Sequence, residues 1–593
     1  MDAGIRRDAE ALAVYLDDPD PIVRGRAVYT LASVQSSTTR PRLIELLSDP
    51  ADGIRADAAF ALGLLPGAES AAALLAALDA EGVAGVRTLI LEAIGRTGEL
   101  EALERLLERA GRDDAEGHAL ALFHFGRRGT YSTRAAPLLL SLIASTDTVV
   151  QEIAALTLAG ARTPDLWGVT AAQLRSVLEA AGDANPAAGA LATALANAGE
   201  DEDAARLVRW LERGARWRTR LQAAESLSRW VERAEVLQAL KRAIDDSSTH
   251  VAMTAARVLA DAPDTDPREL RMWMEQNPER WTVAGVLLTH EEIAKDTAFV
   301  MQRVRSAIAL GAPRWAGYAS FAASRDARSL EALLAGLASL ERRTRYAAAA
   351  ALGRRIEDYP PDAPERDRIA AALASRLDSW GPMATGSDLR GPLAVLEATS
   401  GDGGPGAAEL HARAGRHLHP GMRAGARAPN ASAHAQAGIP PGIDWEWLKA
   451  RGAKPRIRFE TVRGVFTVEL DVEAAPLTAM TVMRYVHEGR YDGLTFHRVE
   501  ANFILQSGDF DNAHGSGGPD AALRTESTRI PFLRGTMGMA SAGRDSEGSQ
   551  FFVTHGASPS LDGRYTAFGR VVSGITVADA IVQGDSVFRV IVE

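Results

Sequence analysis

Apolar residues recur at helical spacing through the first part of the chain. Three similar segments begin at Val23, Ile54 and Val86, each with an arginine next and apolar residues four and eight positions on. These starts are 31 and 32 residues apart, and a fourth segment, without the arginine, begins at Val150, 64 residues after Val86. Apolar positions at i, i+4 and i+8 that return with a fixed period predict stacked pairs of helices.

Aspartate precedes these segments, as at Asp20 and Asp49, and is a favoured N-cap. The pattern resembles the HEAT repeat, an armadillo-like unit of two helices. The resemblance implies an all-α superhelical solenoid of about ten helix pairs over residues 1–395. Solenoids usually bind protein along their long surface, so we expect a protein partner there. A spacer without a particular client remains the alternative.

The helical pattern stops in residues 396–442, where glycine and proline are frequent. This composition cannot bury a core and predicts a flexible linker. The segment contains His411, His417, His419 and His434. A metal site is the weaker interpretation, because no fixed scaffold would hold these side chains together.

Beyond the linker the apolar positions alternate in short runs, which predicts β-strands. Residues 456–470 alternate about Arg463 and Gly464 and predict a hairpin. Residues 476–491 return to helical spacing, with Pro476 at the start and Gly489 near the end. Many short strands with only two helices predict a closed antiparallel barrel.

Composition narrows the function classes. The 593 residues are too many for one core, and the formal charge of −11 includes no segment basic enough for nucleic acid. Cysteine is absent, which excludes disulfides, thiolate chemistry and cysteine-ligated zinc. No apolar run reaches the roughly 18 residues of a membrane span, and the acidic start lacks a signal-peptide plan. We expect a soluble cytoplasmic protein as the sequence stands, or a periplasmic or envelope-associated one if a signal precedes it.

Three stretches carry the candidate chemistry: FHRVEANFILQSGDF at 496–510, GTMGMASAGRDSEGSQFFVTH at 535–555 and LDGRYTAFGRVVSG at 561–574. Their order and spacing resemble the cyclophilins, which are peptidyl-prolyl cis-trans isomerases with an eight-stranded barrel and two helices. The resemblance covers residues 456–593 and implies an isomerase domain over residues 443–593. It does not extend to the first 440 residues.

The resemblance also implies the site residues. Arg498 matches the catalytic arginine of the family, and Gln506 matches the glutamine beside it. Ile504, Ser541 and Tyr565 stand where the family pattern has methionine, asparagine and often histidine. The implied substrate-binding residues are Phe503, Ile504, Met539, Ala540, Ser541, Gln550, Phe552, Leu561 and Tyr565. No cofactor and no metal is implied.

The reaction explains these residue types. Rotation about an X-Pro bond is slow, with a barrier of ~18–20 kcal/mol, because the nitrogen lone pair is delocalised. In the twisted transition state the lone pair localises, so a fixed donor beside that nitrogen stabilises the transition state above either ground state. Arg498 suits this task, since its guanidinium is always charged and rigid. Phe552 and Leu561 would wall a dry pocket for the proline ring, and the Ser541 N–H would hold the substrate carbonyl.

Two further expectations concern single residues. Phe551 and Phe552 are adjacent in a strand and therefore point to opposite faces, and Phe551 is the candidate for the core. His497 is expected to be a structural histidine rather than a catalyst. The composition, rich in alanine, arginine and glycine, and the tyrosine at 565 indicate a bacterial protein.

The sequence therefore predicts a prolyl isomerase that acts on proline-containing protein clients, with the solenoid as a binding or anchoring scaffold. The linker would raise the effective concentration of the isomerase at a bound client. The alternative is a non-catalytic scaffold or assembly factor that binds proline peptides. Arg498 favours catalysis, because a pure peptide-binding site does not need a cation beside the imide nitrogen.

Overall fold

The structure, a computed structural model, describes residues 7–593 except 66, 110–113, 183–184, 310–326, 340–341, 378–389, 401, 403, 417–441, 511–518 and 520–521. The described chain forms two parts. Residues 9–416 are a stack of helices, which we call the helical stack. Residues 443–593 form an eight-stranded antiparallel sheet with three helices, which we call the sheet domain. Among the described residues, no helix has the length and apolar content needed to cross a membrane.

The first half of the helical stack contains α1 Ala9–Ala13, α2 Pro21–Val34, α3 Arg40–Leu46, α4 Asp52–Leu64, α5 Ala71–Ala80, α6 Ala84–Thr97, α7 Leu100–Glu108, α8 Ala115–Arg127, α9 Ala136–Ile143, α10 Thr148–Ala159, α11 Ala171–Ala181, α12 Ala188–Ala198 and α13 Ala204–Arg213. The second half contains α14 Trp217–Ser226, α15 Ala234–Ala243, α16 Thr249–Asp261, α17 Pro267–Gln276, α18 Trp281–Leu287, α19 Glu291–Ala294, α20 Thr297–Ala309, α21 Ala327–Gly336, α22 Arg342–Arg355, α23 Pro364–Leu377, α24 Arg390–Ala398 and α25 Pro405–Arg416. Short 3₁₀ turns lie between several of them.

The helices that carry the repeat motif lie side by side in one layer. This layer, which we call the ladder layer, consists of α2, α4, α6, α8, α10, α12, α14 and α16, each in contact with the next. The intervening helices pack against it, so the predicted stacked helix pairs are confirmed. Small residues allow the close approach: a Cβ added to Gly95 would lie 2.5 Å from the Cα of Ala121 in the next helix. The Asp20 side chain caps α2 by accepting the N–H of Ile22, as predicted.

The arginine of the repeat motif joins successive repeats. Arg55 donates to the backbone oxygen of Asp49 at 2.9 Å and to Glu81 Oε2 at 2.7 Å. Arg87 repeats this geometry with the backbone oxygen of Glu81 at 3.1 Å and Asp114 Oδ1 at 2.7 Å. Arg24 and Arg220 make the same two kinds of contact with other carbonyl and carboxylate groups. Each guanidinium therefore fixes the start of its own helix against an acidic side chain about one repeat further along the chain.

The helical stack continues past the predicted boundary at residue 395. Helix α25 lies inside the segment expected to be a linker, and it packs against α23 with Leu410 buried. The backbone N–H groups of Gly406 and Ala407 donate to Asp367 Oδ1 at 2.7 and 3.1 Å, which secures the start of α25. Glycine and proline here serve a helix start rather than a loose chain. The rest of the predicted linker, residues 417–441, lies outside the described residues, with three of its four histidines.

The sheet domain follows its predicted order of elements. Its strands and helices are α26 Trp445–Lys449, β1 Arg456–Thr461, β2 Gly464–Leu470, α27 Pro476–His487, β3 Arg498–Glu500, β4 Ile504–Ser507, β5 Thr536–Met539, β6 Phe551–Thr554, β7 Ala567–Ser573, α28 Ile575–Ala580 and β8 Val587–Val592. The predicted hairpin is confirmed as β1 and β2, with Gly464 at a φ of 126° in its turn.

The eight strands form one antiparallel sheet in the order β3-β4-β6-β5-β7-β2-β1-β8. The sheet curls but is not a fully closed barrel, which corrects the prediction of closure. Strands β3 and β8 are its two edges, and the segments before them are joined by an isolated bridge between Thr495 and Ser586 and by backbone hydrogen bonds around it. The strand β3 has only three residues, too few to extend a ladder to β8.

The two parts of the chain are docked against each other, whereas the sequence suggested a domain held only by a linker. Arg26 donates to the backbone oxygen of Glu473 at 2.7 Å, and Arg218 Nε donates to Asn502 Oδ1 at 2.6 Å. His555 of the sheet domain contacts Trp217 in a T-shaped arrangement, with ring centroids 5.7 Å apart. All three partners in the helical stack belong to the ladder layer. This layer therefore both holds the repeats together and carries the sheet domain.

The arginine contacts between repeats generate a stability prediction. Replacing Arg87 by alanine leaves the carboxylate of Asp114 without its guanidinium partner while its side chain stays only 7% exposed. We expect a loss of about 2–3 kcal/mol in the free energy of unfolding of the helical stack, measured by urea unfolding followed by circular dichroism. Arg105→Ala, an exposed change on α7, is the matched control and should cost less than about 0.5 kcal/mol. Equal midpoints for the two variants would contradict the prediction.

Candidate functional site

Strand register brings the predicted catalytic pair together. In the pairing of β3 with β4, Arg498 lies opposite Gln506, and in the pairing of β4 with β6, Gln506 lies opposite Phe552. Directly opposed residues on neighbouring strands point to the same face of a sheet. The eight-residue spacing between the arginine and the glutamine is therefore what a short hairpin needs to place both on one face.

A chain of hydrogen bonds runs along this face. Arg498 Nη1 donates to Gln506 Oε1 at 3.2 Å, and Gln506 Nε2 donates to Gln550 Oε1 at 2.9 Å. On its other side the guanidinium donates through Nε to Glu500 Oε1 at 2.9 Å. Gln506 is buried, while the Arg498 side chain is 46% exposed. The arginine is thus oriented by fixed neighbours and remains accessible to a ligand.

An aromatic pocket lies beside the arginine. Phe552 is buried and stacks on Phe532 with centroids 5.3 Å apart, and Tyr565 stands edge-on to Phe552 at 5.6 Å. Leu561 is buried in the same cluster, and Phe503 packs at its margin. This cluster is separate from the main core, where Phe551 is buried, so the predicted division between Phe551 and Phe552 is confirmed.

The remaining predicted residues fall into two groups. Ile504, Ala540 and Tyr565 belong to the aromatic cluster or pack against it, while Ser541 is half-buried at the margin of the site. Met539 is fully buried in the main core, where it pairs with Phe551 across β5 and β6. The structure therefore does not bring Met539 to the pocket, because alternation along β5 turns its side chain to the other face. His497 is buried, in keeping with its predicted structural role.

Two residues of the site were missed by the sequence analysis. Glu500 holds the exposed side of the Arg498 guanidinium, and Phe532 forms the second face of the aromatic stack. Glu500 had a detectable signal, since it lies two residues after Arg498 on the same strand face. Phe532 had none, because it reaches the pocket from the irregular segment before β5.

A cavity of about 380 Å³ opens between the sheet domain and the helical stack at the edge of this site. Ser541 and Tyr565, both predicted substrate-binding residues, line it. The other lining residues come from both parts of the chain: Gln35, Gly63, Leu64, Arg96, His124, Arg127, Thr525, Gly543, Arg544, Ser560, Asp562, Gly563 and Arg564. The repeat motif did not indicate that the helical stack would contribute residues to this cavity. The motif reflects packing between helices and carries no information about the surface of the ladder layer.

Asp562 in the cavity wall is held in its neutral form. Burial, and then the nearby carboxylate of Glu92, raise the pKa of Asp562 to about 8. Its carboxyl group accepts the backbone N–H of Phe532 at 2.7 Å. Around neutral pH this group therefore adds no full negative charge to the cavity.

Comparison with known proteins agrees with this geometry. The family described as cyclophilin type peptidyl-prolyl cis-trans isomerase/CLD matches residues 456–590, and the HEAT repeats family matches residues 9–95. The chain is similar to peptidyl-prolyl cis-trans isomerase B of Bacillus subtilis, 42% identical over 127 residues, which cover 21% of this chain and 88% of that protein. A peptidyl-prolyl cis-trans isomerase of Helicobacter pylori is 40% identical over 136 residues, covering 22% and 83% of the two chains.

Among solved structures, a Cryptosporidium parvum cyclophilin type peptidyl-prolyl cis-trans isomerase is similar over 24% of this chain and 98% of its own, with 24% identity and a TM-score of 0.23. The curated relatives and the family matches define the class of protein, an isomerase enzyme that also carries HEAT repeats. The chain belongs to the cyclophilin-type peptidyl-prolyl cis-trans isomerases, through its sheet domain.

The raised pKa of Asp562 generates a pH prediction. The unfolded carboxyl titrates near its ordinary pKa of about 4, and the folded one at about 8. The stability from this group is therefore complete below pH 4 and is lost as the pH rises to about 8. The loss is at most about 1.4 kcal/mol per pH unit.

Thermal unfolding of the full chain between pH 5 and pH 9 measures this effect. Asp562→Asn keeps an oxygen that accepts the Phe532 N–H but cannot ionise, so its unfolding temperature should fall less over this range. Glu92 and Arg96, which face Asp562, stay unchanged in both proteins. Parallel pH profiles would contradict the assignment of a neutral Asp562.

Proposed function

We propose that the chain accelerates the cis–trans rotation of X-Pro bonds in protein clients, with Arg498 as the catalytic residue. The observation that supports this most is the accessible guanidinium of Arg498, fixed by Gln506 and Glu500 beside the pocket of Phe552. The proline ring would enter the pocket, and the imide nitrogen would face the guanidinium.

The reaction needs only selective stabilisation of the twisted amide. As the bond turns, electron density returns to the proline nitrogen, and a donor from Arg498 would bind it there more strongly than in either planar state. Gln506 would hold the guanidinium in position and is itself held by Gln550. The backbone N–H of Ser541 would fix one side of the substrate while the other side rotates. A rate gain of about 10⁵ requires only about 7 kcal/mol of differential stabilisation.

Glu500 would tune the arginine rather than neutralise it. Its carboxylate accepts from Nε and Nη2, and Gln506 accepts from Nη1, so the guanidinium is held from both sides while its side chain remains 46% exposed. A guanidinium that is already oriented loses less conformational entropy when it meets the transition state.

We propose in addition that the helical stack anchors the sheet domain and presents it to clients. Its contacts fall on the loops that bear the site: Asn502 precedes Phe503, and His555 begins the segment that leads to Leu561. Ala557 of that segment is buried in the apolar core of the helical stack. Support of this kind restrains the loops of the pocket and favours a fixed orientation of the isomerase over free movement on a tether.

The alternative, a scaffold that binds proline peptides without turnover, would use the same pocket. It gives no reason for an arginine held by two polar neighbours, Gln506 and Glu500, at the rim. The two functions differ in one measurable property, the rate of isomerisation by the full chain.

Removing the Arg498 guanidinium tests the proposed catalytic role. Loss of one preorganised donor typically lowers turnover by about 10²–10³-fold. We expect Arg498→Ala to lower kcat/KM for a short X-Pro peptide by that factor in a coupled or NMR exchange assay. Arg456→Ala, an exposed strand arginine paired with Glu469 outside the groove, is the matched control and should keep full activity. Equal rates for wild type and Arg498→Ala, with peptide binding retained, would support the scaffold instead.

A change at the interface tests the anchoring role. Arg218→Ala removes the bond to Asn502 and leaves Glu152, its ion-pair partner, partly buried and unpaired. Hydrogen exchange of the backbone in residues 501–503 and 555–558 should rise by at least about tenfold, because the loops lose their support. Arg213→Ala, an exposed change at the end of α13, should leave it unaltered. The anchoring role fails if both variants exchange like the wild type.

A further inference from the structure

The cavity between the two parts of the chain contains two arginines that face one another. Arg127 comes from the end of α8 in the ladder layer, and Arg564 comes from the loop before β7. Within the described parts of the chain, neither side chain has an ion pair or a hydrogen bond. Other contacts across this interface are complementary, such as Arg529 with Asp57 at 3.3 Å and Arg26 with a backbone oxygen.

Their proximity has a measurable electrostatic consequence. Partial burial, and then the charge of Arg564, lower the pKa of Arg127. Two like charges that converge without a counter-ion oppose docking, since each disfavours the charged form of the other. An arrangement that costs stability in the free protein is typical of a binding site awaiting a group of opposite sign.

The rest of the cavity wall increases this positive character. Arg544 donates to the backbone oxygen of Val34 at 2.6 Å, so its charge is hydrogen-bonded but not cancelled there. Arg96 is paired with Glu92. Asp562 is the only carboxyl group among the described residues that line the cavity, and its raised pKa of about 8 leaves it mostly protonated at neutral pH. The cavity is thus cationic around neutral pH.

The cavity is continuous with the proposed substrate groove. Ser541, whose N–H would hold the substrate carbonyl, and Tyr565, which packs edge-on to Phe552, line both. Ser560, which has a small side chain, also lines the cavity. A volume of about 380 Å³ lies within the range of ligand pockets and exceeds what one amino-acid side chain requires.

We propose that this cavity is a substrate subsite for a carboxylate side chain close to the client's proline, formed jointly by Arg127 of the helical stack and Arg564 of the sheet domain. This inference rests on the proposed function, because the same peptide must occupy the groove. The helical stack would then contribute to the choice of substrate as well as to anchoring. The preferred clients would be acidic segments that contain proline.

A peptide series tests the subsite with the full chain. Short X-Pro peptides carry glutamate, alanine or lysine at one position, placed in turn one or two residues before or after the proline. At one of these positions we expect kcat/KM for the glutamate peptide to exceed that of the alanine peptide by about fivefold, equivalent to about 1 kcal/mol. The lysine peptide should be the slowest. In 1 M salt, where the Debye length is about 3 Å, the differences should largely disappear.

Variants then assign the preference to the arginine of the helical stack. Arg127→Ala should reduce the ratio of glutamate to alanine peptide to about twofold, and Arg127→Glu should bring it below one. Arg105→Ala removes an exposed arginine from α7 that does not line the cavity, and it should retain the wild-type ratio. Turnover of the alanine peptide is measured for every protein as the reference, so that the ratio separates a loss of the subsite from a general loss of activity.

The possible failures are distinguishable. If no protein turns over the alanine peptide, the proposed isomerase function fails. If the alanine peptide is turned over but the glutamate and alanine peptides react equally, or Arg127→Glu keeps the wild-type ratio, the subsite is overturned and the function stands. A phosphoserine peptide completes the series: a preference for it without any preference for glutamate would overturn the carboxylate assignment.

Discussion

The architecture of this protein depends on the contacts that hold each repeat of the helical stack against the next. Arg24, Arg55, Arg87 and Arg220 each bridge a backbone carbonyl of their own repeat and an acidic side chain of the following one. The same guanidinium thus fixes the entry of a helix and the spacing between repeats. The Arg87 guanidinium also lowers the pKa of Asp114, so this link stays charged through the neutral range. The result is a rigid layer whose opposite surface is free to carry other groups.

The sheet domain lies on that surface. The positions of its contacts with the ladder layer determine how firmly its orientation is fixed, more than the number of contacts does. Arg218 and Trp217 at one place in the layer hold the loops next to Phe503 and Leu561. Arg26, much nearer the start of the chain, holds the segment before α27. Two well-separated attachments fix both position and orientation, which one contact cannot do. These attachments restrain a pocket that is built largely from loops. Loop movement would otherwise disturb the alignment of the imide nitrogen with Arg498.

The sequence predicted those parts of the structure that are determined by local sequence patterns. The repeat period predicted the stacked helices, and the family resemblance implied that Arg498 and Gln506 belong to one site, which the pairing of β3 with β4 agrees with. The predictions were wrong or incomplete where segments that are distant in the sequence come into contact. Met539 was carried over as a groove residue, although alternation along β5 turns it into the core. The sequence predicts a linker where α25 lies, because glycine and proline at the helix start are typical loop residues. The start of the helix is capped by Asp367, which lies 39 residues before Gly406 in the chain. The incomplete closure of the curled sheet and the docking of the two parts could not be seen in any local pattern.

The distribution of charge explains why the interface could serve as more than an attachment. Inside the helical stack, the arginines of the repeat motif have a carboxylate and a carbonyl as partners, which is how a buried cation is accommodated. At the interface with the sheet domain, arginines such as Arg26 and Arg529 also have a carbonyl or carboxylate partner. Arg127 and Arg564 differ, because each is supplied by a different part of the chain and no acidic residue of the described chain is placed between them. Stability alone would favour an acidic residue at either position, so the unpaired charges are better understood as a feature kept for a ligand that arrives with the client.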